Sequence, residues 1–295
     1  MPHRTDAMGV AHSTAPQARI VCLVPSLTEL LWDLGLGSQL VGRTGFCIHP
    51  REELRQVPKV GGTKDVDVEK IRALAPTHVV LNIDENTRET ADALRAFVPS
   101  LVVTHPQGPE DNFGLFRLLG GVFDRESEAE HLCERLAGVM AEIATQGRGP
   151  VRRVLYLIWR QPWMSVARET YISRTLARFN WLTEPAHSEA RYPEIELAEA
   201  GAGVDEILLS SEPYPFRAEH VQEIRRTCPG VPVRLIDGEM TSWYGSRAIQ
   251  GLRYLARFTR AESTPEATEV EASSAPVSWS RTPEGPERVS PPGPR

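Results

Sequence analysis

Residues 19–37 read RIVCLVPSLTELLWDLGLG. The apolar run at 20–24 predicts a buried strand, which Pro25 breaks. Ser26 followed by Glu29 stands in capping-box register, and Leu27, Leu30, Leu31 and Leu34 recur at helical spacing until Gly35 stops the helix. A strand feeding directly into a capped helix leaves backbone N–H groups at the strand's carboxyl end. That is where open α/β sheets bind ligands.

The same rhythm continues along the chain. A second strand precedes TGFCIHP (44–50), and a helix is predicted at 68–74 and a strand at 79–83. A helix follows at 86–97, with Asn86 and Glu89 as its capping box, then a strand at 101–103 and a helix near 112–119. From 126 to 145 the apolar positions step by three or four without a turn residue except Gly138, which predicts one long amphipathic helix of roughly 30 Å. After GRGP (147–150) the alternation restarts. Strands are expected at 154–158, 164–166, 206–209 and 233–236, and helices at 172–179, 218–226 and 246–257. KIRALAPTHVVLNIDE (70–85) and ELAEAGAGVDEILLSSEP (196–213) echo each other as short helix, loop, buried strand and acidic exit. Trp32 and Trp181 fall in helical patterns and are assigned to cores.

The fold class is therefore α/β, with two lobes of mostly parallel sheet joined by one long helix. The expected boundaries are a disordered leader at 1–18, an N-terminal lobe at 19–122, the connecting helix at 123–147, a C-terminal lobe at 148–260 and a disordered acidic, Pro-rich tail at 261–295.

The chain has 295 residues, 41% of them hydrophobic and 24% charged, with a formal net charge of -6. This balance argues against nucleic acid as a partner. No apolar stretch approaches the ~20 residues of a membrane helix, so membrane insertion is not expected. The first 18 residues lack the basic start and apolar core of a secretory signal. The expected location is the cytoplasm as written, or the periplasm or cell surface if the start site is misassigned. The four cysteines show no CxxC spacing and are read as reduced thiols. No GxSxG elbow, GxxxxGK[ST] loop or HExxH helix is present, which argues against an enzyme.

Polar and aromatic residues concentrate at strand exits. Cys47 and His49, one residue apart, point to the same side of an extended chain and make half of a soft-metal site. YLIWRQPWMSVARETY (156–171) carries Trp159, Trp163 and Arg168 at a strand mouth. MTSWYGSR (240–247) carries Trp243, Tyr244 and Arg247 in a loop before the last helix. Indoles and guanidinium groups so placed suit a flat, partly anionic ligand.

With these features in place, the sequence resembles the cobalamin and iron-siderophore substrate-binding proteins of ABC importers, the periplasmic-binding-protein class with a helical backbone. The resemblance covers about residues 20–258. It rests on RIVCLVPSLTELLWDLGLGSQLVGRT (19–44), VPKVGGTKDVDVEKIRALAPTHVVL (57–81), the long helix and YPEIELAEAGAGVDEILL (192–209). YLIWRQPWM (156–164), SEPYPF (211–216) and SWYGSR (242–247) are similar to a cobalamin-binding branch. The resemblance implies a rigid clamshell, monomeric and non-enzymatic, that binds a corrinoid or iron chelate such as cobalamin, a ferric siderophore or haem between its lobes. No prosthetic group is implied. Trp159, Trp163 and Trp243 would pack on the ligand, and Thr63, Lys64 and Asp84 would form the polar edge of the first lobe. Docking onto an ABC permease would use Glu69 and either Glu196 or Glu199. The alternative is a metal-dependent, chelatase-like enzyme on the same scaffold using Cys47 and His49.

Overall fold

The computed structural model describes residues 4–147 and 149–261. Its contacts group the chain into two compact units. Among the described residues, the first comprises 4–147, 149–150, Glu169–Asn180 and Gly238–Arg260; the second comprises Val151–Arg168, Trp181–Asp237 and Ala261.

The first unit is built on four parallel strands, β1 (Ile20–Cys22), β2 (Leu40–Arg43), β3 (His78–Asn82) and β4 (Ser100–Thr104), in the order β2-β1-β3-β4. Its helices are α1 (Pro25–Asp33), α2 (Val68–Ala73), α3 (Arg88–Arg95), α4 (Asp111–Phe123), α5 (Glu126–Thr145), α6 (Tyr171–Ala177), α9 (Gly238–Ser242) and α10 (Arg247–Phe258). The second unit repeats the sheet plan with β5 (Arg152–Leu157), β6 (Trp181–Glu184), β7 (Glu206–Ser210) and β8 (Val233–Ile236), all parallel, in the order β6-β5-β7-β8. Its helices are α7 (Leu197–Ala200) and α8 (Ala218–Thr227).

Both orders reverse beside the unit's first strand. The chains leaving β1 and β3, and those leaving β5 and β7, therefore diverge and open a crevice at the carboxyl edge of each sheet. Beneath these edges lie the cores. Val21, Leu23, Val79, Leu81, Ile71 and Leu94 pack in the first unit, and Leu155, Leu157, Ile207, Leu209, Val221 and Ile224 in the second. Burying each such side chain contributes about 1.5–3 kcal/mol. Helix α5 spans the residues its periodicity predicts, and it packs on α4 and α10. Gly120 permits the close α4–α5 approach, because a Cβ there would lie 2.6 Å from that of Ala129.

Several local expectations are corrected. Ser26 does not cap α1. Val24 is the N-cap and Pro25 occupies the first turn, where its missing N–H costs nothing, and the Glu29 carboxylate binds Arg247 instead. Helix α3 is capped by Thr87, which accepts from the Thr90 N–H, so Asn86 is free for another task. Residues 164–166 form no strand. Met164 makes only isolated bridges to Trp159 and Glu194. Trp181 belongs to β6 and is 2% exposed, with the guanidinium groups of Arg152 and Arg234 at 5.7 and 5.5 Å from its ring. The 148–260 boundary differs from the observed grouping, because α6, α9 and α10 belong to the first unit.

The leader is also ordered from residue 4, because one buried carboxylate organises it. Asp6 Oδ1 accepts from the Met8 and Val10 N–H groups at 2.9 Å each, and Oδ2 accepts from the Val103 N–H and faces His12 Nε2, both at 3.1 Å. The Ala7 N–H donates to Val103 O and the His12 ring meets Ser100 Oγ at 2.9 Å, so residues 6–12 lie along edge strand β4. Hydrogen bonds here replace the apolar burial that the composition lacks. The expected tail lies outside the described residues except Ala261.

Asp6→Ala strands three N–H donors and is expected to cost roughly 1–3 kcal/mol. A lowered urea midpoint at unchanged m-value would register it; an unchanged midpoint would show that the segment adds nothing.

Candidate functional site

The carboxyl edge of the first sheet is shaped by one amide. Asn86 donates from Nδ2 to Leu23 O (3.3 Å) and Thr63 O (2.9 Å), and its Oδ1 accepts from the Asn82 N–H (3.0 Å). The exits of β1 and β3 are thereby tied to the 61–66 loop. That loop closes tightly through Gly62 N–H to Asp65 O at 2.7 Å. Gly61, at φ +102, has no room for a side chain, because a Cβ would sit 2.4 Å from Asp65 O. Thr63 and Lys64 occupy the tip, with Lys64 exposed.

Asp84 faces His105 at 3.6 Å. Neighbouring Glu85 has its carboxyl pushed upward by burial and by the charge of Asp84, with Lys64 opposing. Three apolar side chains in the exit loops of this sheet are exposed, Phe46 (63%), Ile48 (40%) and Ile83 (44%). They follow β2 and β3, and sequence reasoning had not assigned them. The signal was available as apolar residues inside exit loops.

Cys47 and His49 do not converge. The Arg43 guanidinium donates to the carbonyls of Leu54, Thr44 and Cys47, which curls the segment into a turn, so the extended geometry that would align the two side chains is not adopted. Cys47 is fully buried, with Sγ 3.0 Å from Thr28 Oγ1 and 3.2 Å from Thr44 Oγ1. It therefore lies inside the unit and not on the edge. His49 Nε2 lies 3.0 Å from Glu239. Among the described residues no group of three or more His, Cys, Asp or Glu is placed to hold a metal ion.

The 240–247 segment is packed and not a presenting loop. Trp243 and Tyr244 are 7% and 6% exposed. Arg247 forms a fork on Glu29 at 2.7 and 2.6 Å, reaches Glu239 at 3.1 Å and lies over the Trp243 ring at 4.8 Å. The edge of His49 meets the same indole at 5.6 Å. Burial alone would raise the Glu239 carboxyl, but the hydrogen bond from His49 and the charges of His49, Arg247 and Arg51 outweigh it and lower it. The guanidinium expected to meet a ligand is thus engaged within the first unit.

The second unit's edge is aromatic. Trp159 and Met164 close a short hairpin, with Ile158 N–H to Met164 O at 3.0 Å and Met164 N–H to Trp159 O at 3.2 Å. Trp159 meets Tyr214 edge-on at 5.8 Å, and Trp163 lies nearly parallel to Phe216 at 6.2 Å. His220 fixes the next turn by accepting from the Arg217 N–H at Nδ1 and facing the Tyr214 hydroxyl at 3.3 Å. Trp159, Trp163 and Tyr214 are half-buried at the exits of β5 and β7. Tyr214, Phe216 and His220 were missed as site residues although SEPYPF was noted. Arg168 is engaged within the unit, donating to Thr183 O at 3.2 Å and pairing with Glu184 at 3.4 Å. Glu69, Glu196 and Glu199 are exposed, Glu69 in the first turn of α2 and the other two at the start of α7.

Burial pushes the Cys22 thiol up to about 12 and raises Cys47, Cys133 and Cys228 as well. Ellman's reagent at pH 8 is expected to find no thiol in the native protein and all four in guanidinium. Rapid native labelling of Cys47 would contradict its placement. A Glu85 carboxyl raised by burial disfavours the folded state once ionised. Glu85→Gln is therefore expected to raise the melting temperature at pH 7, with the gain shrinking as the pH falls and the native carboxyl takes up its proton. A pH-independent effect would contradict this.

A sequence profile described as "Periplasmic binding protein" matches residues 20–224. Over 134 residues the chain is 30% identical to the uncharacterized ABC transporter substrate-binding lipoprotein YvrC of Bacillus subtilis strain 168, a match covering 44% of this chain and 42% of that relative. The chain thus spans less than half the length of that relative. The crystal structure of the periplasmic vitamin B12 binding protein BtuF of Vibrio cholerae is similar, with a TM-score of 0.69 at 17% identity, covering 83% of this chain and 97% of the other. The periplasmic heme-binding protein RhuT from Roseiflexus sp. RS-1 gives 0.68 at 21% identity, covering 84% and 98%. Each of these structures shares the fold of two parallel-sheet α/β lobes. With the profile running from β1 into α8, over the first sheet and three of the four strands of the second, the chain belongs to the periplasmic binding protein family.

Proposed function

We propose that this protein is a non-enzymatic substrate-binding component that carries a flat metal chelate of the corrinoid or haem type as cargo. The observation that carries this reading is the aromatic edge of the second unit. Trp159, Trp163 and Tyr214 are half-buried around the exits of β5 and β7, where the reversal of strand order opens a ligand crevice. Aromatic rings offer a macrocycle a large contact area at little entropic cost. Taken by itself, the sheet edge of the first unit presents apolar Phe46 and Ile83 and the polar residues Thr63, Lys64 and Asp84.

The printed names of the similar proteins, a vitamin B12 binder and a heme binder, support the ligand class. The words lipoprotein and periplasmic in those names support a site of action outside the cytoplasm. An ABC permease is the matching partner, and exposed Glu69 on the first unit and Glu196 or Glu199 on the second are the docking carboxylates. The chelatase reading is not favoured, because Cys47 is buried and His49 is directed to Glu239. No helix among the described residues is long and apolar enough to cross a membrane.

Titration of the purified protein with cyanocobalamin and with hemin, followed by tryptophan fluorescence, is expected to show saturable quenching by at least one. Trp159→Ala should then weaken binding by about 1–3 kcal/mol, roughly 5- to 150-fold. Absence of binding to both would reject the ligand class; unchanged affinity in Trp159→Ala would reject this edge as the site.

A further inference from the structure

The second unit's aromatic edge carries a guanidinium that has no part in the reading above. Arg160 follows Trp159 in the turn of the hairpin closed by Trp159 and Met164. Its Nε lies 3.1 Å from Glu223 Oε2 and its Nη2 lies 3.0 Å from Oε1, and the Tyr214 phenol adds to the electrostatic environment that favours its charged form. The side chains of Arg160 and Glu223 are 28% and 32% exposed, so the pair is partly desolvated and still open to solvent.

Several other guanidinium groups of this unit are committed elsewhere. Arg168 is held by Thr183 O and Glu184. Arg152 and Arg234 bind Glu206 at the amino end of the sheet, against Trp181. Arg217 beside Phe216 is exposed, where water competes for any anion it meets.

A guanidinium presents five N–H donors in a planar fork, and Glu223 occupies its Nε and Nη2 side. The group is thereby oriented in advance, so an incoming anion gains charge-assisted hydrogen bonds without the cost of ordering a long side chain. We propose that Arg160 is a specificity-determining residue that reads an acidic group, a carboxylate or a phosphodiester, on the rim of a macrocycle lying against Trp159 and Tyr214. Glu223 orients the guanidinium and competes with the anion for it, which sets a limit on affinity and favours ligands that carry a fixed negative charge. The inference rests on the proposed binding of a tetrapyrrole.

The test pairs each macrocycle with a neutralised or truncated counterpart: hemin with its dimethyl ester, and cyanocobalamin with dicyanocobinamide, which lacks the phosphodiester. Fluorescence titrations of wild type, Arg160→Gln and Glu223→Gln are compared. Arg160→Gln is expected to weaken the anionic member about tenfold and its counterpart less than twofold. Loss confined to hemin identifies a carboxylate, and loss confined to cyanocobalamin a phosphodiester. Glu223→Gln, which keeps an acceptor oxygen and removes the competing charge, is expected to bind the anionic member as tightly as wild type or more tightly. Equal losses for both members of a pair, no loss in Arg160→Gln, or a loss in Glu223→Gln matching that in Arg160→Gln would overturn the inference. If wild type binds none of the four, the ligand class itself fails, a result distinct from any of these.

Discussion

Everything in this molecule depends on the reversal of strand order beside β1 and beside β5. A parallel strand's successor lies on one side or the other, and in both sheets the second strand goes one way while the third and fourth go the other. Chains leaving adjacent strands then turn to opposite faces, and the edge between them stays uncovered. The exit loops of β1 and β3 in one unit, and of β5 and β7 in the other, are therefore the segments with room to meet a ligand. The two units reach this plan with different side chains. One presents a polar loop with scattered apolar residues, and the other a set of aromatic rings.

Those loops are held from behind by buried polar contacts. In the first unit Asn86 ties three segments together with one amide, Arg43 shapes the turn through three carbonyls, and Arg247 clamps α1 and α9 through Glu29 and Glu239. In the second, His220 fixes the 214–217 turn and Glu223 steadies Arg160. Asn86, Arg43 and His220 each satisfy backbone groups that would otherwise lack partners, so the edge geometry is set before a ligand arrives. The division is consistent throughout: residues that hold the edge are engaged inside a unit, and residues that offer area to a ligand remain half-exposed.

Much of the fold is legible in the amino-acid sequence because its strands are short apolar runs punctuated by Pro, Gly and capping residues. Helix α5 and strand β8 fall where the pattern puts them. Strand β6 was hidden, since WLTE is two apolar residues followed by two polar ones and is too short to show a period. The leader was misread because its order comes from the four contacts of one carboxylate and not from apolar content. The site was legible in residue type and not in arrangement. Trp243 and Arg247 have the right chemistry for a ligand, but Glu29, the partner that commits Arg247, lies 218 positions away in sequence, beyond any local pattern. The pairing of Trp159 with Tyr214 is likewise a product of β5–β7 adjacency and is invisible until the sheet is assembled.

The central claim is that a metal macrocycle lies on the aromatic edge of the second unit. A crystal structure of the protein grown with hemin or cyanocobalamin tests it most directly, through difference density for the macrocycle and anomalous signal from its metal. The ring plane is expected against Trp159, Trp163 and Tyr214 at the exits of β5 and β7. Density elsewhere on the protein, with these three side chains still facing solvent, would contradict it.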